Sequence, residues 1–336
     1  MPAVAQIRDV SKRAGVSPAT VSRAYSDPQK LSAATLEKVL KAAEELDYKP
    51  SSLAKVFRGK RTNSVLVMAP DLANVLFARV LSGIERVAAE NNYFLLVSDT
   101  NDNMDIERAG IEMVETHRAD GVIQLGERPL KRLHKAGDDC RVPFVHAIET
   151  DELGPYPTVK IDNIAAAEAM ATYLLALGHR EIGVLAGLRD RRVTQQRLEG
   201  FKAALDAFGA PFNPSRVEYA DYSMAGGAQA ALRLLSRDQD VTALFCMSDE
   251  IAIGAMRTAL DRGMKLPDDL SVTGFDNIVM GQYSHPPLTT VMQPAERIGE
   301  VAMTMMCNLL NGTAVADKHQ RLETELVIRK STRRIG

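Results

Sequence analysis

From Ser64 onward, apolar segments of strand length alternate with amphipathic segments of helix length, and this alternation limits the possible folds more than any other feature. The predicted strands are residues 65–70, 93–99, 121–126, 142–148, 158–162, 181–186, 217–220, 243–247, 270–274 and 327–329. The predicted helices are residues 77–91, 105–117, 165–177, 194–208, 224–235, 251–262 and 295–311. Such alternation predicts doubly wound parallel sheets, with enough chain for two lobes. A ligand site is then expected between the lobes, where strands end.

Charge is distributed unevenly along the chain. Residues 1–61 contain 12 Lys/Arg and six Asp/Glu, a net charge of +6, whereas the whole chain carries −2, which leaves −8 for the remainder. A basic N-terminal segment on an acidic body indicates a polyanionic partner for that segment alone.

Other classes of protein find little support in the composition. The N-terminus lacks the basic and apolar regions of a secretory signal, and no apolar run approaches the ~20 residues of a membrane span. We therefore expect a cytoplasmic protein with no membrane partner. Three cysteines, Cys140, Cys246 and Cys307, lie far apart. They are expected to be reduced thiols, so no metal and no cofactor is predicted.

The basic segment has the pattern of three short helices. Ile7, Val10 and Ala14 share one helical face, and Gly15 follows as a break. Ser17 and Pro18 are suited to the N-cap and first turn of a second helix, over residues 18–25. A third helix is predicted from the N-cap Ser32 to about residue 47, with an apolar stripe of Leu36, Val39, Leu40, Ala43 and Leu46.

Two helices joined by a tight turn and supported by a third predict a helix-turn-helix unit, whose second helix fits the major groove. Arg23 is the residue on that helix able to contact guanine with two hydrogen bonds. Thr20 and Ser22 suit phosphate oxygens or thymine methyls. The alternative is a protein-docking domain, which the basic excess disfavours.

Two sets of residues carry a family resemblance. The N-terminal segment contains Ile7, Asp9, Val10, Ala14-Gly15-Val16-Ser17 and Thr20-Val21-Ser22-Arg23. The body contains Ile161-Asp162-Asn163, Arg197-Leu198, Gly200-Phe201, Ser248-Asp249 and Gly274-Phe275-Asp276. On these residues the sequence resembles the LacI/GalR family of repressors over nearly its whole length. The resemblance implies an all-α helix-turn-helix domain at 1–50, a hinge helix and linker at 51–63, and a two-lobed domain similar to periplasmic binding proteins at 64–336.

The resemblance also implies how the protein binds double-stranded operator DNA. The DNA contacts would come from Ser17, Pro18, Ala19, Thr20, Ser22, Arg23, Ala54, Lys55 and Phe57. In the family a hinge-helix leucine enters the minor groove, and here Phe57 stands at that position. An aromatic wedge can also unstack a base step. The alternative is that Phe57 packs against the body.

In the body, the resemblance implies a homodimer and a pocket for a small effector. The pocket residues carried over are Leu76, Phe77, Glu127, Asp162, Arg197, Tyr222, Ser248, Asp276 and Gln293. Asp162 and Asp276 are carboxylates that can each accept two hydroxyl donors. Each assignment has an alternative: Asp276 and Arg197 as a structural ion pair, and Tyr222 or Leu76 as core.

The effector is expected to be a nucleoside, because residues 126–128 and 149–163 look most like the nucleoside-responsive branch of the family; a sugar is the alternative. A transport-type binding protein would share the body but not the DNA-binding segment. No nucleophile elbow, phosphate loop or His/Cys metal spacing appears, so no enzymatic activity is predicted. The expected mechanism is a ligand-driven population shift that changes operator affinity.

Overall fold

The computed structural model describes residues 5–48, 61–127, 142–148 and 156–335. Ala54, Lys55, Phe57 and Cys140 lie outside these ranges, so the predictions for the hinge fall outside the described residues. The chain divides into two compact units, residues 1–62 and 63–336. Within the described ranges, no helix combines the length and apolarity that crossing a membrane requires.

The described part of the first unit contains three α-helices, as predicted. They are α1 (Ile7–Ala14), α2 (Pro18–Ser26) and α3 (Ala33–Glu45). Gly15 ends α1 in the left-handed conformation, with φ of 64°, so a side chain at this turn would be strained. The predicted N-caps are confirmed, because the hydroxyl oxygens of Ser17 and Ser32 accept hydrogen bonds from backbone N–H groups three residues later.

The small core of this unit joins the three helices. It consists of Val10, Val21, Ala24, Val39, Ala42 and Ala43. The prediction that Leu40 belongs to the buried stripe of α3 was wrong: Leu40 is 44% exposed and Ala42 is buried. The apolar face of α3 is therefore rotated relative to the predicted stripe. An ion pair of 2.7 Å between Arg13 and Glu45 connects α1 to α3.

The described residues of the second unit form two six-stranded sheets. The first sheet has the order β11-β5-β4-β3-β1-β2, and all its strands are parallel. These strands are β1 (Ser64–Ala69), β2 (Phe94–Asp99), β3 (Gly121–Gln124), β4 (Phe144–Ile148), β5 (Thr158–Ile161) and β11 (His319–Leu322). Together with α4 (Val75–Glu90), α5 (Met104–Glu115) and α11 (Ala295–Leu310), they form what we call the first lobe.

The second sheet has the order β12-β10-β9-β8-β6-β7, and only β12 is antiparallel to its neighbour. The strands are β6 (Ile182–Ala186), β7 (Val217–Tyr219), β8 (Ala243–Cys246), β9 (Ser271–Asp276), β10 (Thr289–Met292) and β12 (Glu325–Val327). They form the second lobe with α6 (Asn163–Ala176), α7 (Arg192–Ala207), α8 (Met224–Arg237), α9 (Asp249–Asp261) and α10 (Val279–Tyr283).

In the residues that the structure describes, the chain passes between the two lobes three times. These crossovers lie at residue 162, at residues 293–294 and at residues 323–324. The first leads from β5 to α6, the second from β10 to α11, and the third from β11 to β12. Each lobe is therefore built from separate stretches of the sequence.

Glycines allow three helix pairs to pack at backbone contact. A Cβ atom at Gly83 of α4 would lie 2.0 Å from a carbonyl oxygen of α11, and one at Gly200 of α7 would lie 2.1 Å from a carbonyl oxygen of α6. Gly227 of α8 and Gly254 of α9 face each other's helix in the same way. The predicted two-lobed architecture is confirmed, and the glycines show how tightly its layers are packed.

Among the α-helices and strands that the structure describes, three were not predicted. They are β10, β11 and the short helix α10. The last predicted strand, over residues 327–329, shares only Val327 with β12. The strand β11 begins His319-Gln320-Arg321 and alternates between exposed and half-buried residues, so it lacks the apolar run that identifies the central strands.

Candidate functional site

The second helix of the first unit presents a continuous polar and small-residue surface. Ser17, Pro18, Ala19 and Arg23 are exposed, and Thr20 and Ser22 are half-exposed. The remaining face of α2 is buried through Val21 and Ala24. The structure therefore places all six predicted contact residues of this helix outside the core.

Arg23 differs from two other basic residues nearby. Arg13 pairs with Glu45, and Lys30 pairs with Asp27 at 2.6 Å. Within the described part of this unit, no carboxylate pairs with Arg23. Its guanidinium is therefore available to an external partner, and a guanidinium can donate two parallel hydrogen bonds to guanine.

A cavity of about 180 Å³ lies between the two lobes of the second unit. The first lobe lines it with Pro70, Asp71, Asn74, Leu76, Phe77 and Asp102. The second lobe lines it with Leu188, Arg191, Val193, Arg197, Asp221, Tyr222 and Asp276. Most of these residues follow a strand or begin the next helix, so the cavity lies at the carboxyl ends of both sheets, as expected for this architecture.

Asp276 is a buried carboxylate at the end of β9. It is 6% exposed, and its φ of 113° is unusual for a residue with a side chain. Burial raises the pKa of Asp276 to about 6, against opposing effects of the Arg197 charge and of a 2.6 Å hydrogen bond donated by Gln293. The nearby Glu250 charge raises this pKa further. Such a group gains from hydrogen-bond donors supplied by a ligand.

Arg197 is held in place by several contacts within the second lobe. Its Nε donates to Asn163 Oδ1 at 3.0 Å, and its Nη1 donates to the Met247 carbonyl. Its Cζ atom lies 3.6 Å from the centroid of the Phe275 ring. These contacts fix the guanidinium, whose charge lowers the pKa of Asp276. The structure describes both residues and shows no ion pair between them, so the alternative of a structural ion pair is not borne out. Ligand contact by the two residues stays a prediction.

Apolar and aromatic side chains line the cavity from both lobes. Leu76 and Phe77, at the start of α4, also belong to the hydrophobic core. Tyr222 forms a 2.9 Å hydrogen bond with the Thr194 hydroxyl and lies against Gly187. A Cβ atom at Gly187 would be 2.1 Å from Tyr222 Cζ, so the absence of a side chain at residue 187 makes room for the tyrosine ring.

Polar contacts between the lobes surround the cavity. Arg191 of the second lobe pairs with Asp102 of the first, and its Nη1 lies 3.9 Å from Glu127 Oε2. Glu127 Oε1 also accepts a 3.2 Å hydrogen bond from the Val193 N–H. Glu250 of the second lobe likewise contacts the first lobe: its Oε1 accepts a long 3.5 Å hydrogen bond from the Val75 N–H. The pKa of Glu250 is raised, mainly by burial and also by the charge of Asp71.

The structure brings together Leu76, Phe77, Arg197, Tyr222 and Asp276 among the predicted pocket residues. The other four are placed around the cavity without lining it. Asp162 caps α6 and pairs with Arg321 at 2.6 Å, and Ser248 caps α9. Gln293 donates to Asp276, and Glu127 contacts the N-terminus of α7. Direct ligand contact by these four residues stays a prediction.

Sequence reasoning missed several lining residues. They are Pro70, Asp71, Asn74, Asp102, Leu188, Arg191, Val193 and Asp221. Their positions just after strands or at helix starts are a usable signal, because parallel strands end on one edge of a sheet. Which of these loop residues face the cavity depends on the approach of the two lobes, which no local pattern encodes.

Comparison with known proteins supports this picture. Residues 6–51 match the model described as bacterial regulatory proteins, lacI family, and residues 171–332 match a periplasmic binding protein-like domain. The HTH-type transcriptional repressor CytR of Escherichia coli (strain K12) is 36% identical over 329 residues, which cover 98% of this chain and 96% of that protein. The chain belongs to the LacI family. It is a DNA-binding transcriptional regulator of that family.

Other members of the LacI family are similar over comparable lengths. Catabolite control protein A of Priestia megaterium is 32% identical, over 97% of this chain and 99% of that protein. A structure of the lac repressor dimer bound to operator and the anti-inducer ONPF has a TM-score of 0.86 at 26% identity, covering 98% of this chain and 100% of that chain. The transcriptional regulator CelR in complex with cellobiose has a TM-score of 0.73 at 29% identity, covering 97% and 99%.

Proposed function

We propose that this LacI-family regulator binds double-stranded operator DNA as a homodimer and that a small effector bound between its lobes changes the operator affinity. The observation that carries the proposal is the cavity lined from both lobes, with Asp276 and Arg197 buried in it. A ligand touching both lobes stabilises one lobe arrangement over others, and this difference in affinity shifts the population. The lac repressor, solved as a dimer on operator, supports the dimer and the DNA partner.

The proposed DNA contacts are those of the sequence analysis: Ser17, Pro18, Ala19, Thr20, Ser22 and Arg23 on α2, with Ala54, Lys55 and Phe57 in the hinge. The exposure of the α2 residues supports this assignment. The proposed function is binding without catalysis, in line with relatives that are regulators.

The DNA-reading assignment can be tested with Arg23→Ala. A preferred duplex is first selected from a randomised library with the wild-type protein. Because a bidentate base contact is worth about 1–3 kcal/mol, Arg23→Ala should weaken binding of that duplex about 10- to 100-fold in a fluorescence anisotropy titration. Lys38→Ala, an exposed lysine of α3, is the matched control. Equal losses on selected and random duplexes for Arg23→Ala would contradict base reading.

For the effector we favour a nucleoside, because aromatic rings from both lobes line a cavity that also holds a hydroxyl-accepting carboxylate. A sugar is the second candidate, favoured by the cellobiose complex of CelR. A thermal-shift screen of ribonucleosides, hexoses and disaccharides separates them, because a ligand raises the melting temperature of the state it binds. A screen in which only sugars raise it would contradict the nucleoside assignment.

A further inference from the structure

Two of the long helices that begin at the cavity, α4 and α7, are each contacted by a carboxylate of the opposite lobe. Glu250 of the second lobe accepts from the Val75 N–H at the start of α4. Glu127 of the first lobe accepts from the Val193 N–H at the start of α7. Free N–H groups and the helix dipole make a helix N-terminus the usual protein site for a phosphate group. At the starts of α4 and α7 a carboxylate of the opposite lobe already occupies this position.

The charged residues that line the cavity also disfavour the binding of a phosphate group. Four of its lining residues are acidic, Asp71, Asp102, Asp221 and Asp276, and two are basic, Arg191 and Arg197. Arg191 is engaged by Asp102 and lies near Glu127, and Arg197 is engaged within its own lobe. A phosphate entering this space would meet more negative than positive charge, and both cations already have partners.

The acidic groups also lie close enough to raise one another's pKa. The charge of Asp71 raises the pKa of Glu250, and the charge of Glu250 raises that of Asp276. Like charges at short range in a partly buried site are costly because the local dielectric constant is low.

We propose that the cavity binds its effector in the unphosphorylated form and excludes the phosphorylated form, and that Glu127 and Glu250 are the residues responsible for this specificity. The inference rests on the proposed function, because it assumes that the cavity is the effector site. It adds the class of ligand: a molecule with hydroxyl donors for Asp276, an apolar or flat ring and no phosphate.

The test measures paired ligands by isothermal titration calorimetry on the full chain. The pairs are four ribonucleosides with their 5′-monophosphates, and glucose and galactose with their 6-phosphates. The wild-type protein should bind the parent compound at least about tenfold tighter than its phosphate. Glu127→Gln and Glu250→Gln should each lower this ratio at least about threefold, mainly by strengthening binding of the phosphate.

The matched control is Glu199→Gln, which removes the same charge from an exposed position on α7 and should leave the ratio unchanged. The ratio compares two ligands on one variant, so partial misfolding cancels. A merely structural role of the two glutamates would weaken both ligands equally and leave the ratio unchanged, which would overturn the proposal. Phosphates that bind the wild-type protein as tightly as the parents would also overturn it.

Failure of the proposed function gives a different result. If no member of the panel binds, or if Asp276→Asn leaves binding unaltered, the cavity is not the effector site and both proposals fall. If a parent compound binds and loses affinity in Asp276→Asn, the proposed function stands. The ratio of the affinities for the parent compound and its phosphate then tests the proposed specificity separately.

Discussion

Asp276 combines three properties at one position: burial, a positive φ and a pKa raised to about 6. A raised pKa means that ionisation of the carboxyl is less favourable in the folded than in the unfolded protein. Its contribution to stability is therefore present at low pH and is lost as the pH rises through about 6. An unliganded protein that keeps this carboxylate ionised at neutral pH is less stable than one without the charge.

Replacing Asp276 by Asn should therefore stabilise the unliganded protein and weaken effector binding. At pH 7.5 we expect the free energy of unfolding to rise by about 1–3 kcal/mol, since one pKa unit corresponds to 1.36 kcal/mol, and the gain should vanish near pH 4. Urea titrations at both pH values measure this, with the exposed Asp206→Asn as control. A variant less stable than wild type at pH 7.5 would contradict the argument.

Gly187 offers a second test at the scale of one residue. In Gly187→Ala the new Cβ would lie 2.1 Å from the Tyr222 ring and would displace it from its present position. Overpacking typically costs about 1–3 kcal/mol, so the ring should move away from the new methyl group. Because the displaced ring no longer lines the cavity as before, effector affinity should fall about tenfold. Gly126→Ala is the control, since its Cβ would meet no atom closer than 4.0 Å. Unchanged affinity in Gly187→Ala would show that the position of the ring is not important for binding.

Some of the residues that line the cavity were predicted from the sequence. Asp276, Arg197 and Phe77 were predicted from their resemblance to family positions, and they line the cavity. Asp162 and Ser248 instead cap helices that start immediately after them, and an Asp or Ser before a helix is itself a capping signal. Arg191 was missed because its role depends on contacts with the opposite lobe.

Among the elements, most inner strands and the long helices were predicted well because they carry continuous apolar runs or amphipathic periods. The edge strand β11 was not, since its alternating exposure leaves it with few apolar residues. The five-residue helix α10 is too short to show a period. The inner strand β10 was also missed although it is buried, because its four residues begin with two threonines and offer only a short apolar run. The predictions thus followed the length of the apolar run more closely than burial.

The glycine contacts between helices predict a large effect from a small change. Gly254→Ala on α9 would bring a Cβ within 2.0 Å of a carbonyl oxygen of α8. We expect a loss of about 1–3 kcal/mol in unfolding free energy, although alanine favours an isolated helix by about 1 kcal/mol. Thermal unfolding measures the change. Gly281→Ala in α10, whose Cβ would make ordinary 3.5 Å contacts, is the control; equal effects in both would argue against tight packing of α8 on α9.

At the scale of the whole molecule, the proposed dimer needs an apolar surface that is buried between the two protomers. Tyr283 is 83% exposed and Phe94 is 75% exposed, more than any other large hydrophobic side chain that the structure describes. Tyr283 lies on the second lobe and Phe94 on the first. Covering a large apolar side chain removes apolar surface from water, so we take these two as the first candidates for the contact between protomers.

Tyr283→Lys and Phe94→Lys should shift the protein toward the monomer, because a lysine buried in an apolar interface lacks a partner. Sedimentation velocity over a range of concentrations measures the shift, and operator affinity should fall with it because dimers bind two half-sites. Leu232→Lys, at a 49% exposed position on α8, is the control. Variants that remain dimeric would place the interface elsewhere.

The three crossovers between the lobes have a consequence for how such regulators diversify. The DNA-binding unit is one uninterrupted stretch that ends at Thr62. A single recombination event can therefore give the protein a different DNA-sequence specificity. Neither lobe of the sensor is such a stretch, and exchanging one lobe alone would require a splice at every crossover. New target genes are therefore easily acquired by shuffling, whereas a new effector has to be acquired by point substitutions around the cavity.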